Sequence, residues 1–461
     1  MAEIAPFRGV LYRPENRSQP DLSTQLAPPY DVINDAQRQA LASRSPFNAV
    51  HLILPKDLTG GDSDEKYAEA ANTLARWRSA GIMERDTAPA LYRYHQIFTP
   101  PGVPGAAPVV RRGFIARIRL HRFAEGIVLP HERTLAGPKL DRLKLKRATR
   151  THLSQVFGLY DDPERQADAA FIAVEQGPPS LHGKTDDGVE HQLWRLTDPA
   201  AIAQVAAQLR DRRIYIADGH HRYETMLALR DELRTDPTYR GLDSAIEYGS
   251  IFLCNASDPG LLVFPTHRAL HSLPGFDLAA LLPRLAERFE LDERTGATEG
   301  ENDAATVQAT LAEKGERAPS MLLASGGRFI YLTLRPGAAD QIAGPAVLRT
   351  LDVTVLHALI FEQLLGIDRA AQEAQTYLRY IKDTSQALAA ASDKGANQAV
   401  FLLNPTRVQQ VMAVAEAGEV MPQKSTYFYP KIASGLVLNP LDPGEAVDSA
   451  IAGAAAAKAG A

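Results

Sequence analysis

One cysteine among 461 residues, Cys254, excludes an intramolecular disulfide and any Cys-rich zinc site. Its setting, Ser250-Ile-Phe-Leu-Cys254-Asn255, reads as a buried strand, which favours a structural thiol over a nucleophile. No apolar run is long enough to span a bilayer, and Met1-Ala-Glu-Ile-Ala-Pro-Phe-Arg8 lacks the charged and apolar regions of a signal peptide. A soluble cytoplasmic protein without membrane partners is therefore expected. An excess of positive charge is missing too: 50 Lys and Arg stand against 55 Asp and Glu, a formal charge of −5, so no nucleic-acid partner is expected. No HExxH-like helical pair is present. The apolar fraction, 45%, is ordinary for globular protein, and the length has room for roughly two to four domains.

What the chain does contain is an alternation of strand-like and helix-like stretches, an α/β (α+β) pattern. Residues 5–12 and 91–98 read as strands, 35–43 and 63–80 as amphipathic helices, and the apolar run 50–54 as a strand between those helices, with Gly60-Gly61 breaking the chain before the second. Ala27-Pro-Pro-Tyr-Asp31 is a stiff extended piece, because a residue before proline is kept out of helix. Residues 113–120 alternate apolar and basic side chains like a half-buried strand and lead to Leu129-Pro-His-Glu-Arg-Thr134. After Gly137-Pro-Lys139 a helix opens at Asp141, with Arg142, Lys144, Lys146, Arg147 and Arg150 largely off its apolar face. Such a face is either solvated or, leaning over a cleft, a set of anion anchors. A fresh α/β unit from about Leu273 includes a helix over 353–365 and ends in Met421-Pro-Gln-Lys-Ser-Thr-Tyr-Phe-Tyr-Pro-Lys431. Four segments result: an N-terminal α/β extension (1–108), a core (109–272), a C-terminal α/β domain (273–445) and an Ala/Gly-rich disordered tail (446–461).

The densest chemistry lies at 214–230. Ile214-Tyr-Ile-Ala217 reads as a strand, Asp218-Gly-His-His-Arg222 as a turn, and Met226, Leu229 and Leu233 recur at the spacing of one helical face. Asp218 is expected to cap the helix and Gly219 to let backbone or ligand come close. A helix N-terminus presents unpaired N–H groups and a positive dipole end, which suits a phosphate, although an Asp-Gly turn before a helix is also a common surface feature. Thr266-His267-Arg268 offers a second His-Arg pair at a strand end.

Together, Ala27-Pro-Pro-Tyr-Asp31, Pro130-His-Glu132, Gly137-Pro-Lys139 with Asp141-Arg142, Asp218-Gly-His-His-Arg222 and Pro422 to Lys431 resemble, from end to end, a bacterial and archaeal family known only as domain of unknown function 1015. From about Arg111 to Asp442 the chain is also similar to the ADP-dependent free serine kinase of the ParB/sulfiredoxin-like group. The shared order is a strand into Pro-His-Glu, a strand into Asp-Gly-His-His-Arg, and a helix followed by Gly418-Glu-Val-Met-Pro-Gln-Lys-Ser-Thr426. Three departures stand out: the first two motifs lie farther apart here, the kinase lacks most of residues 1–110, and Tyr427-Phe-Tyr429 replaces a more polar continuation.

The resemblance implies a ParB/sulfiredoxin-like core and a phosphotransferase working between ADP or ATP and a small hydroxyl metabolite, serine or, in reverse, phosphoserine. It assigns Glu132 as general base, Asp218 and His221 to phosphate and metal, and Lys424, Ser425 and Thr426 to the substrate; Asp218 is expected to anchor Mg²⁺ and His131 to contact the substrate. Gly219, His220 and Arg222 from the loop, with Lys139 and Arg142 from the basic helix, are expected to hold phosphate or nucleotide. Phosphoryl transfer requires charge neutralisation, an in-line acceptor and a proton acceptor, and a positioned base contributes roughly 10²–10⁴-fold. Three other readings use the same residues: a phosphoserine phosphatase with water as acceptor, a metal-dependent hydrolase on His131, His220, His221, His267 and Asp218, and a nucleotide-gated binding module like the ParB clamps.

Overall fold

In a computed structural model the chain is described over residues 1–13, 21–56, 64–102, 105–132, 137–239, 243–294, 303–392, 396–445 and 447. The Gly60-Gly61 break, Arg133, Thr134 and, apart from Val447, the expected tail at 446–461 lie outside these residues.

The architecture is mixed α/β, built on two sheets. The first runs, in spatial order, Val128–Leu129, Ile214–Asp218, Val156–Tyr160, Tyr248–Asn255, Val109–Arg119, Leu91–Phe98, Glu190–Leu196, Leu181–Lys184, with Ile4–Ala5 added beside Val109–Arg119. Most pairs are antiparallel, but Ile214–Asp218 runs parallel to Val128–Leu129, and Tyr248–Asn255 parallel to Val156–Tyr160. Period-two alternation explains why both faces are buried. Ile115, Phe157, Tyr215 and Phe252 point into one apolar cluster, whereas their chain neighbours Phe114, Val156, Ile216 and Ile251 point into the other. The second cluster is covered by the helices Pro199–Arg210 and His220–Leu233, through side chains such as Val205, Leu209, Tyr223 and Met226.

The second sheet is wholly antiparallel: Phe289–Arg294, Arg328–Leu334, Ser320–Ser325, Ala399–Leu403, His267–Leu270, Leu378–Ile381. A two-stranded ribbon, Leu262–Phe264 with Tyr427–Tyr429, joins the two. The expected boundary at 108 falls inside the hairpin of Leu91–Phe98 with Val109–Arg119, and the one at 272 falls just after a strand of the second sheet.

Local expectations hold where capping chemistry is explicit. The helices Asp35–Arg44 and Leu278–Ala286 are capped by Asn34 and Asp277. The expected strand at 50–54 is instead one helical turn, Val50–Ile53. Buried Asn48 accepts the Val50 N–H at 2.9 Å while its amide donates to Thr24 O and Leu26 O, so a side-chain hydrogen-bond set overrides β-branched propensity. The expected helix over 353–365 begins as α (Asp352–Val355) and continues as π (Leu356–Leu364).

Candidate functional site

The site forms where Ile214–Asp218 leaves the first sheet and the helix His220–Leu233 begins. Gly219, not Asp218, occupies the cap, at φ +88° and without a side-chain cap bond. A Cβ at Gly219 would lie 2.8 Å from Arg222 Nε, so the chain turns tightly over its own arginine and only glycine fits. Asp218 fails to cap because both its oxygens are engaged elsewhere, one by Arg222 and one by Lys431. Burial pushes its carboxyl up, but Lys431 and Arg222 hold it well below the usual carboxylate range. Arg222, expected to hold phosphate, is buried and spends its other arm on Gln155 O. The Mg²⁺ expected at Asp218 does not fit this arrangement, because it would have to displace a cation already bound to each oxygen. Among the described residues no three His, Cys, Asp or Glu side chains gather as a metal-binding set. His267 lies apart, with its ring on Thr384 and the Leu403 amide.

His131 and His220 stitch the two motifs together. His131 Nδ1 lies 2.6 Å from Ile216 O, so that nitrogen carries the proton and Nε2 accepts from the Thr426 hydroxyl at 3.0 Å. The His131 backbone N–H donates to His220 Nε2 at 3.3 Å, and the rings meet edge to face at 4.8 Å. Burial lowers His131 to about 4 and His220 well below the usual histidine value, so both rings are neutral at neutral pH. His220 therefore presents no positive charge to a phosphate. His221 is half-buried, lowered first by burial and touched by the charges of Glu224, Lys139, Asp31 and Lys424.

The basic helix, Gly137–Thr149, is largely committed to the protein itself. Arg142 is buried against Asp141 and Ile53 O and stacks over the Tyr30 ring at 4.2 Å. Lys146 is buried on Arg222 O and Thr225, Lys144 pairs with Asp64, and Arg147 pairs with Glu232. Lys139 reaches the site side, paired with Glu224 at 2.9 Å.

Glu132 has a different environment. Glu132 makes an isolated parallel bridge to Met421, whose N–H donates to His131 O at 2.9 Å, and Glu132 Oε1 accepts the Lys424 N–H at 2.9 Å. Lys424 takes the left-handed conformation, φ +57°, to aim that amide. Burial raises the Glu132 carboxyl above its ordinary value despite the Lys424 amide and the charges of Lys424 and Lys431. Ser425, an expected substrate contact, is buried and turns its hydroxyl onto Pro422 O at 2.5 Å, while Thr426 is held by His131. The Lys424 side chain is exposed on the rim.

The family model for "Protein of unknown function (DUF1015)" matches residues 4–354, well over half of the chain, which takes in the Pro-His-Glu and Asp-Gly-His-His-Arg motifs but not the segment 421–431. The chain belongs to the DUF1015 family. No curated protein matches this DUF1015 member. Among solved structures it is similar to a free serine kinase in complex with AMP, at 15% identity and TM-score 0.34, covering 68% of this chain and 86% of that one. A conserved hypothetical protein from Pyrococcus furiosus gives 15% and 0.34, over 72% and 97% of the two chains. A C-terminally truncated SbnI from Staphylococcus aureus gives 11% and 0.32, over 71% and 87%. Superposition this loose transfers nothing about activity.

Three residues of this DUF1015 site, Lys431, Arg111 and Lys382, were not assigned a role by sequence reasoning, and a fourth, Arg268, was noted only as half of a His-Arg pair at a strand end. Lys431 bonds Asp218, and its carbonyl accepts from Gln96 Nε2 at 2.9 Å. Arg111, buried in the first sheet, donates to the carbonyls of Tyr429 and Pro430 and so clamps the segment that carries Lys431. Arg268 donates to Lys424 O at 3.0 Å. Lys382, at the end of a strand of the second sheet, lies 4.4 Å over the Tyr427 ring. Desolvation, then Lys431 and Lys424, lower its ammonium, and neither Lys382 nor Lys424 has a carboxylate partner among the described residues. Lys431 had a signal, since it closes the C-terminal motif; Lys382 had none.

Proposed function

We propose that this DUF1015 protein is a small-molecule phosphotransferase moving a phosphoryl group between a nucleotide, ADP or ATP, and the hydroxyl of free serine or a similar metabolite. The observation that carries the reading is a contrast around the 424–427 segment: Glu132, a carboxyl raised by burial, accepts the Lys424 N–H, while Lys424 and Lys382, which lies over the Tyr427 ring, form no ion pair among the described residues. Lysines that feel one another's charge and stand in no ion pair of their own favour an anionic ligand. The uncapped helix start at Gly219 adds backbone N–H donors on the same side. The motif order shared with the serine kinase supports the same assignment. In this scheme a ParB/sulfiredoxin-like core, about residues 109–272, carries the base and the loop, and the C-terminal domain, about 273–445, supplies the lysines.

The step balances as an in-line displacement. The acceptor hydroxyl gives its proton to Glu132 and its oxygen attacks the terminal phosphorus. The bond to the bridging oxygen then breaks, so that ADP leaves AMP or ATP leaves ADP, together with the phosphomonoester. Lys382, Lys424 and His221 face the phosphates, while Asp218, Arg222 and Lys431 hold the loop that shapes the cleft. The test is turnover of serine with ADP or ATP and Mg²⁺, and of phosphoserine in reverse. Parent protein should turn over and Glu132→Gln should not; equal rates for both, or no transfer in either direction, would sink the assignment. Phosphate released from phosphoserine without nucleotide would make the protein a hydrolase.

A further inference from the structure

Behind the Met421 segment that pairs with Glu132 lies a cavity of about 250 Å³, on the C-terminal side of the cleft. Its floor is the helix that changes from α to π register at Leu356. Registers of this kind are uncommon and concentrate at functional sites. On that floor Thr354 is 9% exposed, and its Oγ1 has no hydrogen-bond partner among the described residues. A buried hydroxyl in that state is unfavourable until something meets it. The walls are apolar, with Ile342, Leu348, Met421 and Pro422 alongside the Tyr380 ring. Three carboxylates, Glu362, Glu373 and Glu419, surround the cavity against one guanidinium, Arg369. An acidic rim over an apolar chamber with a hydroxyl at its base selects a cation that has an apolar body.

The cavity is also wired to Glu132. Its wall, Glu419–Gln423, includes Met421, which bridges to Glu132 and donates its N–H to His131 O, and the next residue, Lys424, donates its N–H to the Glu132 carboxylate. A second link runs through His357, a lining residue, whose Nε2 accepts from Arg268 Nε at 3.3 Å while the same guanidinium donates to Lys424 O at 3.0 Å. Gln372 holds the other His357 nitrogen, fixing the tautomer that makes this link. Glu132 itself does not line the cavity.

We propose that this cavity binds a small primary amine with an apolar or aromatic body, and that its occupant positions Glu132 through residues 419–424. Only the positioning half rests on the assignment of Glu132 as base. Tyramine, titrated into the full-length protein by calorimetry, is compared with its neutral and anionic counterparts, 4-ethylphenol and 3-(4-hydroxyphenyl)propanoate. Saturable binding of tyramine is expected, with the other two weaker by about tenfold or more, the scale of one charge-assisted contact. The double variant Glu362→Gln/Glu373→Gln should weaken tyramine by a similar factor, and Thr354→Val should weaken it without lowering Tm. No saturable binding, or three probes that bind alike, overturns the site. For the coupling, amide hydrogen exchange at Lys424 should slow when tyramine is bound, and unchanged exchange overturns it. A protein that binds tyramine and protects Lys424 but transfers no phosphoryl group loses the phosphotransferase assignment and keeps the amine site and its coupling to Lys424.

Discussion

Two halves of the cleft are built on opposite electrostatic terms. On the loop side, Asp218 sits between Arg222 and Lys431, with every charge answered and the carboxyl held low. On the Glu132 side, burial raises a carboxyl that accepts the Lys424 backbone N–H, and Lys382 and Lys424 form no ion pair among the described residues. In the proposed scheme, two carboxyls pushed in opposite directions divide the labour between structure and chemistry. The Asp-Gly-His-His-Arg motif, which looks the more reactive in sequence, is mainly a latch between the first sheet and the C-terminal segment. The less conspicuous Pro-His-Glu segment holds the group that the proposed mechanism uses as proton acceptor.

The sharpest test of that division is Glu132→Gln. Phosphotransfer should fall roughly 10²–10⁴-fold, the usual contribution of a positioned base, with the fold intact by circular dichroism. In parent protein kcat/KM should rise with pH through an apparent pKa above that of an ordinary glutamate, since the ionised form is the base.

The latch side should break differently. Asp218→Asn leaves two largely buried cations without their carboxylate, at a cost of about 3–5 kcal/mol in urea unfolding. Because the folded Asp218 value is depressed, its stabilisation is complete above the unfolded aspartate pKa of about 3.9 and disappears as pH falls through the folded value. Parent and variant should therefore converge in acid. Equal stability at neutral pH would deny the latch.

Between these lies the pair Lys382→Ala and Lys424→Ala, each expected to raise the nucleotide KM about tenfold, near the lower end of a charged hydrogen bond. Stability should hold, since neither lysine is in an ion pair among the described residues; a drop in Tm with KM unchanged would place them in the fold instead. The smallest effect is Ser425→Ala. Its hydroxyl stays within its own turn, so a loss of about 0.5–1.5 kcal/mol is expected, with serine KM unchanged. A raised KM would restore the substrate contact that the motif implied.

The sequence carried the local features because they follow from neighbouring residues. The sharp strand-to-helix turn at Asp218-Gly219 and the helix beginning at Asp35 were legible, since glycine conformation and helical periodicity act over a few residues, although the cap fell on Gly219 and not on Asp218. Arg142 and Lys146 were misleading, because a helical pattern cannot tell a solvated cation from one drawn inside by a neighbouring helix's carbonyl or an aromatic face. Val50–Ile53 was misread because the hydrogen bonds of Asn48 reach back to Thr24 and Leu26.

What only the tertiary structure decided is which charge meets which. Lys431 reaches Asp218 across 213 residues and Lys424 reaches Glu132 across 292. Desolvation and Coulomb terms depend on distance in space, not along the chain. The residue types of the site were therefore written in the sequence, whereas the folded cleft assigned one carboxylate to the latch and left the other raised at the edge.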